Sequence, residues 1–86
     1  MSPQEIISDQ QIKREHWGNF GSSSPREVVD EAVWNIGFGY STGFTCSQIL
    51  HAHKLITNPM RGRPVRLTKK GTLYFRAIAK QKGVLA

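Results

Sequence analysis

The run Leu55-Ile56-Thr57-Asn58-Pro59-Met60-Arg61-Gly62-Arg63-Pro64-Val65-Arg66-Leu67-Thr68-Lys69-Lys70-Gly71 sets two short β-prone segments around a basic, proline-bounded core. Leu55-Ile56-Thr57 and Val65-Arg66-Leu67 have the composition of strands, and the residues over 58–64 have that of a turn. Such a pair predicts a hairpin with a long basic tip. Thr68 stands where a helix cap belongs, and Leu73, Tyr74, Ala77, Ile78 and Gln81 recur at helical spacing after it. A helix over 69–82 with these five inward is expected.

On the N-terminal side, Cys46, Ile49, Leu50 and His53 share one face of a helix expected over 45–54. Ser47, Gln48, His51 and Lys54 share the opposite, polar face, with Thr45 at its leading edge. Gly37-Phe38-Gly39 and Tyr40-Ser41-Thr42-Gly43 separate it from a helix over 25–37. There, Ser24-Pro25-Arg26-Glu27 is a start signal, and Val28, Val29, Ala32, Val33 and Ile36 form one continuous stripe. Ser2-Pro3-Gln4-Glu5 repeats that signal and opens a helix expected over 3–16, whose few apolar residues are Ile6, Ile7 and Ile12. Its thin apolar face either packs on the body or serves as a homodimer contact. Trp17 and Phe20 pin the loop that follows.

The order is helix, helix, helix, strand, basic loop, strand, helix. Leu55-Ile56, then Leu67-Thr68-Lys69-Lys70-Gly71 and Tyr74, resemble the second half of many bacterial winged-helix regulators, and the resemblance covers about residues 25–82. It implies a mainly α fold with a small β-hairpin, a winged helix of order α-α-α-β-wing-β-α. The domain over 25–82 would follow an N-terminal helix and loop (1–24) and precede a frayed tail (83–86). It also implies that the helix over 45–54 enters a DNA major groove and that the loop over 57–64 meets the backbone or the adjacent minor groove. Within that loop, Arg61-Gly62-Arg63-Pro64 resembles the core of an AT-hook. Two guanidinium groups flank a residue without a side chain, and proline holds the backbone extended. Such a segment is narrow enough for an A·T-rich minor groove, whose negative potential attracts arginine.

The expected contacts follow. Arg61, Gly62, Arg63, Pro64 and Arg66 form the wing contact, and Lys69 and Lys70 meet phosphates at the start of the last helix. Thr45, Ser47, Gln48, His51 and Lys54 face the major groove. Charge supports a polyanion partner. The first 31 residues hold all six acids against three bases (Lys13, Arg14, Arg26), for −3; residues 32–86 hold nine bases and no acid, for +9. A·T-rich double-stranded DNA is the expected partner, and a transcriptional regulator or nucleoid-associated protein the expected role. The competing expectation, from another class, is a winged-helix adaptor for an acidic protein, using Trp17, Phe20 and Trp34. RNA fits less well, because aromatics do not interleave with the basic residues of the loop.

Other chemistry finds little support. The single Cys46 allows no internal disulfide, and His16, Cys46, His51 and His53 lack zinc-binding spacing. His51 and His53 fall on different sides of a helix. No carboxylate after residue 31 stands ready to orient a histidine beside Cys46. No catalytic residue, cofactor or metal is expected. With no apolar run long enough to span a bilayer, no membrane partner is expected either, and the cytoplasm (in association with the nucleoid) is the expected location.

Overall fold

Hydroxyl caps decide where three of the helices begin. Ser24 accepts from the Glu27 N–H to open a helix at Pro25–Gly37, and Thr68 accepts from the Gly71 N–H to open one at Lys69–Gln81. Ser8 forms a complete capping box with Gln11 ahead of Asp9–Arg14. The computed structural model describes residues 2–15, 24–40, 42–59 and 65–83. Among them the helices are α1 (Pro3–Ile6), α2 (Asp9–Arg14), α3 (Pro25–Gly37), α4 (Phe44–Ala52) and α5 (Lys69–Gln81).

The single N-terminal helix expected over 3–16 is two helices. Ile7 is extended (φ −136°, ψ 119°), so α1 stops after four residues and the Ser8 box restarts the chain as α2. The break turns both Ile7 and Ile12 into the core, each 1% exposed. There they join Val29, Val33, Ile36, Ile49, Leu50, Leu55, Ile56, Tyr74 and Ile78 in one buried cluster. Helix α3 lies at its centre, packed against α2, α4 and α5, while α1 packs on α5.

The expected β-hairpin wing is not formed, and the winged-helix class is corrected to a mainly helical fold. Among the described residues there is no strand, only an antiparallel bridge between Ile56 and Leu67. The Thr57 N–H donates to the Arg66 carbonyl (2.8 Å) and the Thr68 N–H to the Leu55 carbonyl (3.0 Å). Pairing stops there for identifiable reasons. The Arg66 N–H is taken by Thr57 Oγ1 (3.1 Å) rather than by a backbone carbonyl. Pro59, two residues on, has no N–H to give. At the other end Thr68 is already the cap of α5. Leu55 and Ile56 are both buried, at 0% and 2% exposure, whereas a strand of a one-sided ribbon would send alternate residues outward.

Two glycines set helix spacing. A Cβ on Gly71 would overlap the Leu55 carbonyl oxygen, so the first turn of α5 sits directly on the chain before the bridge. A Cβ on Gly37 would overlap the ring of Phe75, where α3 and α5 converge. Around that convergence, half-buried Trp34 stacks on Phe75 (centroids 5.1 Å apart, planes at 21°) and meets Phe38 edge-on at 4.9 Å. Lys82 Nζ lies 5.4 Å from the indole centroid. Helix α5 buries Gly71, Tyr74, Ala77, Ile78 and Ala79. Leu73 and Gln81, expected inward, are exposed.

A polar knot ties α2, α3 and α5 together. Arg26 donates to Asp9 Oδ1 (2.6 Å from Nη2, 2.9 Å from Nε), to the Ile7 carbonyl (2.7 Å) and to the Tyr74 hydroxyl (2.9 Å). The Tyr74 hydroxyl in turn donates to Asp30 Oδ1. Burial, then the bond to Asp30, pushes the Tyr74 pKa well above its ordinary value, so the phenol keeps the proton it donates. Burial also raises the Asp30 pKa, against the opposing pull of Tyr74 and Arg26. Tyr74, fully buried, is thus supplied with both a donor and an acceptor.

Candidate nucleic-acid interface

Helix α4 ends in a Schellman motif. The Lys54 N–H donates to the His51 carbonyl (2.9 Å) and the Leu55 N–H to the Leu50 carbonyl (3.0 Å), with Lys54 left-handed at φ 62°. The helix therefore closes at Ala52, and Lys54 projects from its C-terminal turn rather than from the polar face of the helix. The Thr68 hydroxyl donates to the Lys54 carbonyl (2.6 Å) and accepts from the Gly71 N–H (3.1 Å). That one side chain joins the end of α4 to the start of α5. The Ile56–Leu67 bridge lies between them, and Lys54, Arg66, Lys69 and Lys70 are gathered around it. The first three are exposed and Lys70 is half-buried.

Arg61, Gly62, Arg63 and Pro64 lie outside the described residues. The two ends of the segment that carries them are held together by the Thr57–Arg66 backbone bond, at the centre of this basic cluster. Of the residues expected to face outward from α4, His51 is exposed and Thr45 and Gln48 are half-buried. Ser47 is not on that face. It is 8% exposed, and its hydroxyl lies 3.0 Å from Thr42 Oγ1, spanning the turn into α4. The outward side of α4 is therefore carried by Thr45, Gln48 and His51. His53 is buried at 5% exposure.

A second basic row went unnoticed in the sequence. Lys69, Arg76 and Lys80 are exposed along α5, separated by seven and four residues, with Leu73 (47% exposed) between them on the same side. Helical spacing would have revealed it, since side chains three, four and seven apart share a face. The exposed acids Glu27 and Glu31 belong to α3. Signals for other chemistry are weak. Burial raises the pKa of half-buried Cys46, which disfavours the thiolate a nucleophile needs. Among the described residues no group of His, Cys, Asp and Glu could hold a metal ion. Nor is any described helix long and apolar enough to cross a membrane.

The left-handed Lys54 makes a measurable claim. A non-glycine residue in that conformation costs about 1–2 kcal/mol, while glycine adds about 0.5–1 kcal/mol of unfolded-chain entropy. Lys54→Gly should therefore raise stability by about 0.5–1 kcal/mol in urea denaturation, although it deletes a charge from the basic cluster. An unchanged or lower midpoint would mean that the position carries no strain.

No known protein family matches the chain, and no curated protein or solved structure is significantly similar to it.

Proposed function

We propose that the protein binds double-stranded DNA with a preference for A·T-rich sequence, and acts as a transcriptional regulator or nucleoid-associated protein. The observation that carries this reading is the clustering of Lys54, Arg66, Lys69 and Lys70 around the Ile56–Leu67 bridge, at both roots of the segment bearing Arg61 and Arg63. In this reading Arg61 and Arg63 enter the minor groove, Gly62 lets the backbone approach its floor, and Pro64 holds the exit extended. Minor-groove readout separates A·T from G·C pairs but hardly A·T from T·A, so selection is by composition and groove shape. Arg66, Lys69 and Lys70 meet flanking phosphates, where the opening N–H groups of α5 also favour an anion. Thr45, Gln48, His51 and Lys54 approach the major groove. Self-association through the N-terminal segment would use the polar sides of α1 and α2, because Ile7 and Ile12 are committed to the chain's own core.

A second reading, an adaptor for an acidic protein, draws on the exposure of Phe38 (54%), which packs edge-on against the Trp34–Phe75 stack, and of Tyr40 (69%) two residues on. Fluorescence anisotropy with A·T-rich and G·C-rich duplexes across a salt series separates the two. The DNA reading expects tighter A·T binding, with a log–log salt slope of about −0.9 per phosphate contact. Replacing both Arg61 and Arg63 by alanine should abolish most of the A·T preference. Alanine at Arg66 and Lys69 should flatten the salt slope and leave the preference intact. Equal, salt-insensitive affinity for both duplexes would sink the proposal and favour the adaptor.

A further inference from the structure

Beside the basic cluster is a polar cleft of about 240 Å³. It is lined by Gln11, Arg14 and Glu15 at the end of α2, His53 and Lys54 at the end of α4, and Lys70 in the first turn of α5. Three cations face one carboxylate, leaving a net charge of +2 with His53 neutral. Two features make this arrangement unfavourable without a ligand. Lys70 is half-buried in the opening turn of a helix, where the macrodipole disfavours a cation and favours an anion. His53 is buried, and its Nε2 has no hydrogen-bond partner among the described residues. Buried polar atoms are rarely left unpaired.

We propose that this cleft seats one phosphate group, held by Arg14 and Lys70, and that the His53 imidazole takes up a proton as the phosphate binds. The volume accommodates a tetrahedral anion and a few waters, each water taking about 30 Å³. Among the described residues, Glu15 is the one carboxylate facing His53; Arg26 from α3, Lys54 beside it and Lys70 from α5 face it as cations. Burial lowers the His53 pKa; Lys70 and Arg26 push the same way, and Glu15 opposes them. A bound anion reverses that balance and raises the His53 pKa. Affinity must then rise as the pH falls through the ordinary imidazole range. The chemistry is common to a DNA backbone phosphate, which would extend the DNA reading, and to a free phosphorylated small molecule, which does not depend on it.

Nuclear magnetic resonance titration of the full chain tests this, with inorganic phosphate and with dimethyl phosphate, whose charge is constant over the range. Saturable shifts confined to the amides of Gln11, Arg14, Lys54 and Lys70 are expected, together with a higher titration midpoint for the His53 ring. Arg14→Gln, at an exposed position, should weaken binding about tenfold without unfolding the protein. Non-saturating shifts spread over all basic residues, or an unmoved His53 midpoint, would overturn the proposal. The source is read from duplex binding. If Arg14→Gln lowers the DNA salt slope by about 0.9, the phosphate belongs to the backbone. If it weakens phosphate binding and leaves the slope unchanged, the ligand is a small phosphorylated molecule. Saturable phosphate binding without duplex binding would refute the DNA reading alone; duplex binding without a phosphate response would refute the cleft alone.

Discussion

Gly71→Ala should lower the stability of the protein by at least about 2 kcal/mol and its melting temperature by roughly 10–15 °C. The sign is what makes the experiment informative. Alanine is favoured over glycine inside a helix by about 1 kcal/mol, so on propensity alone the substitution would stabilise α5. Against it stands the Leu55 carbonyl oxygen, which a Cβ at position 71 would overlap. Overpacking typically costs about 1–3 kcal/mol when side chains can adjust. Here the obstacle is backbone, fixed by the bond from the Thr68 N–H to that same carbonyl, so a cost of about 3 kcal/mol or more is expected. Thermal and urea denaturation with matched slopes would measure the net effect. A more stable variant would show that α5 does not rest on residue 55.

Arg26→Ala is the second large loss, about 2–3 kcal/mol at neutral pH. Its guanidinium serves three acceptors on separate parts of the chain: Asp9, the Ile7 carbonyl and the Tyr74 hydroxyl. The ion pair contributes little of this, because the Asp9 side chain is 78% exposed and solvent screens it. The larger cost is the Ile7 carbonyl left without its donor, about 1–3 kcal/mol, with Asp30 losing a favourable charge in a partly buried place. The pH dependence separates these effects from simple loss of packing. Burial holds the folded pKa of Asp30 above its ordinary value, so its charge destabilises the fold at neutral pH. That destabilisation fades as the pH falls through the folded value toward about 4. Removing Arg26 raises the Asp30 pKa further, so the deficit of the variant should shrink on acidification. A deficit equal at pH 7 and pH 4, or full recovery with Arg26→Met, would mean that Arg26 acts through its aliphatic stem alone.

How much of the fold is legible in the sequence follows the range of the physics involved. Ser24 and Thr68 act within three residues, so their caps were legible, as was the five-residue stripe of α3. The opposite placements of His51 and His53 followed from spacing on one helix. The Ser8-Asp9-Gln10-Gln11 box was equally local, yet the start signal at Ser2-Pro3-Gln4-Glu5 was carried across it as one helix over 3–16. Other features depend on partners distant in the chain. Val65-Arg66-Leu67 has strand composition, but the Thr57 side chain takes up the Arg66 N–H and the Thr68 side chain the Lys54 carbonyl. Trp34 lies off the α3 stripe, and the ring that stacks on it, Phe75, comes forty-one residues later. Ser47 looks outward on a helical wheel until Thr42 folds over it. The phosphate cleft combines α2, α4 and α5, and no window of sequence contains it.

That the described residues pair at one rung, Ile56–Leu67, matters at high concentration. A longer hairpin would carry free rims of unpaired amides, the surface onto which neighbouring molecules add strand by strand during aggregation. Among the described residues the most β-prone segment instead buries Leu55 and Ile56 within the fold, and the N–H groups of Leu55, Thr57 and Arg66 bond to Leu50, Arg66 and Thr57 of the same chain. Crowded copies therefore find only a short rim to add to there, and their mutual repulsion, at a net charge of +6, helps to keep them apart.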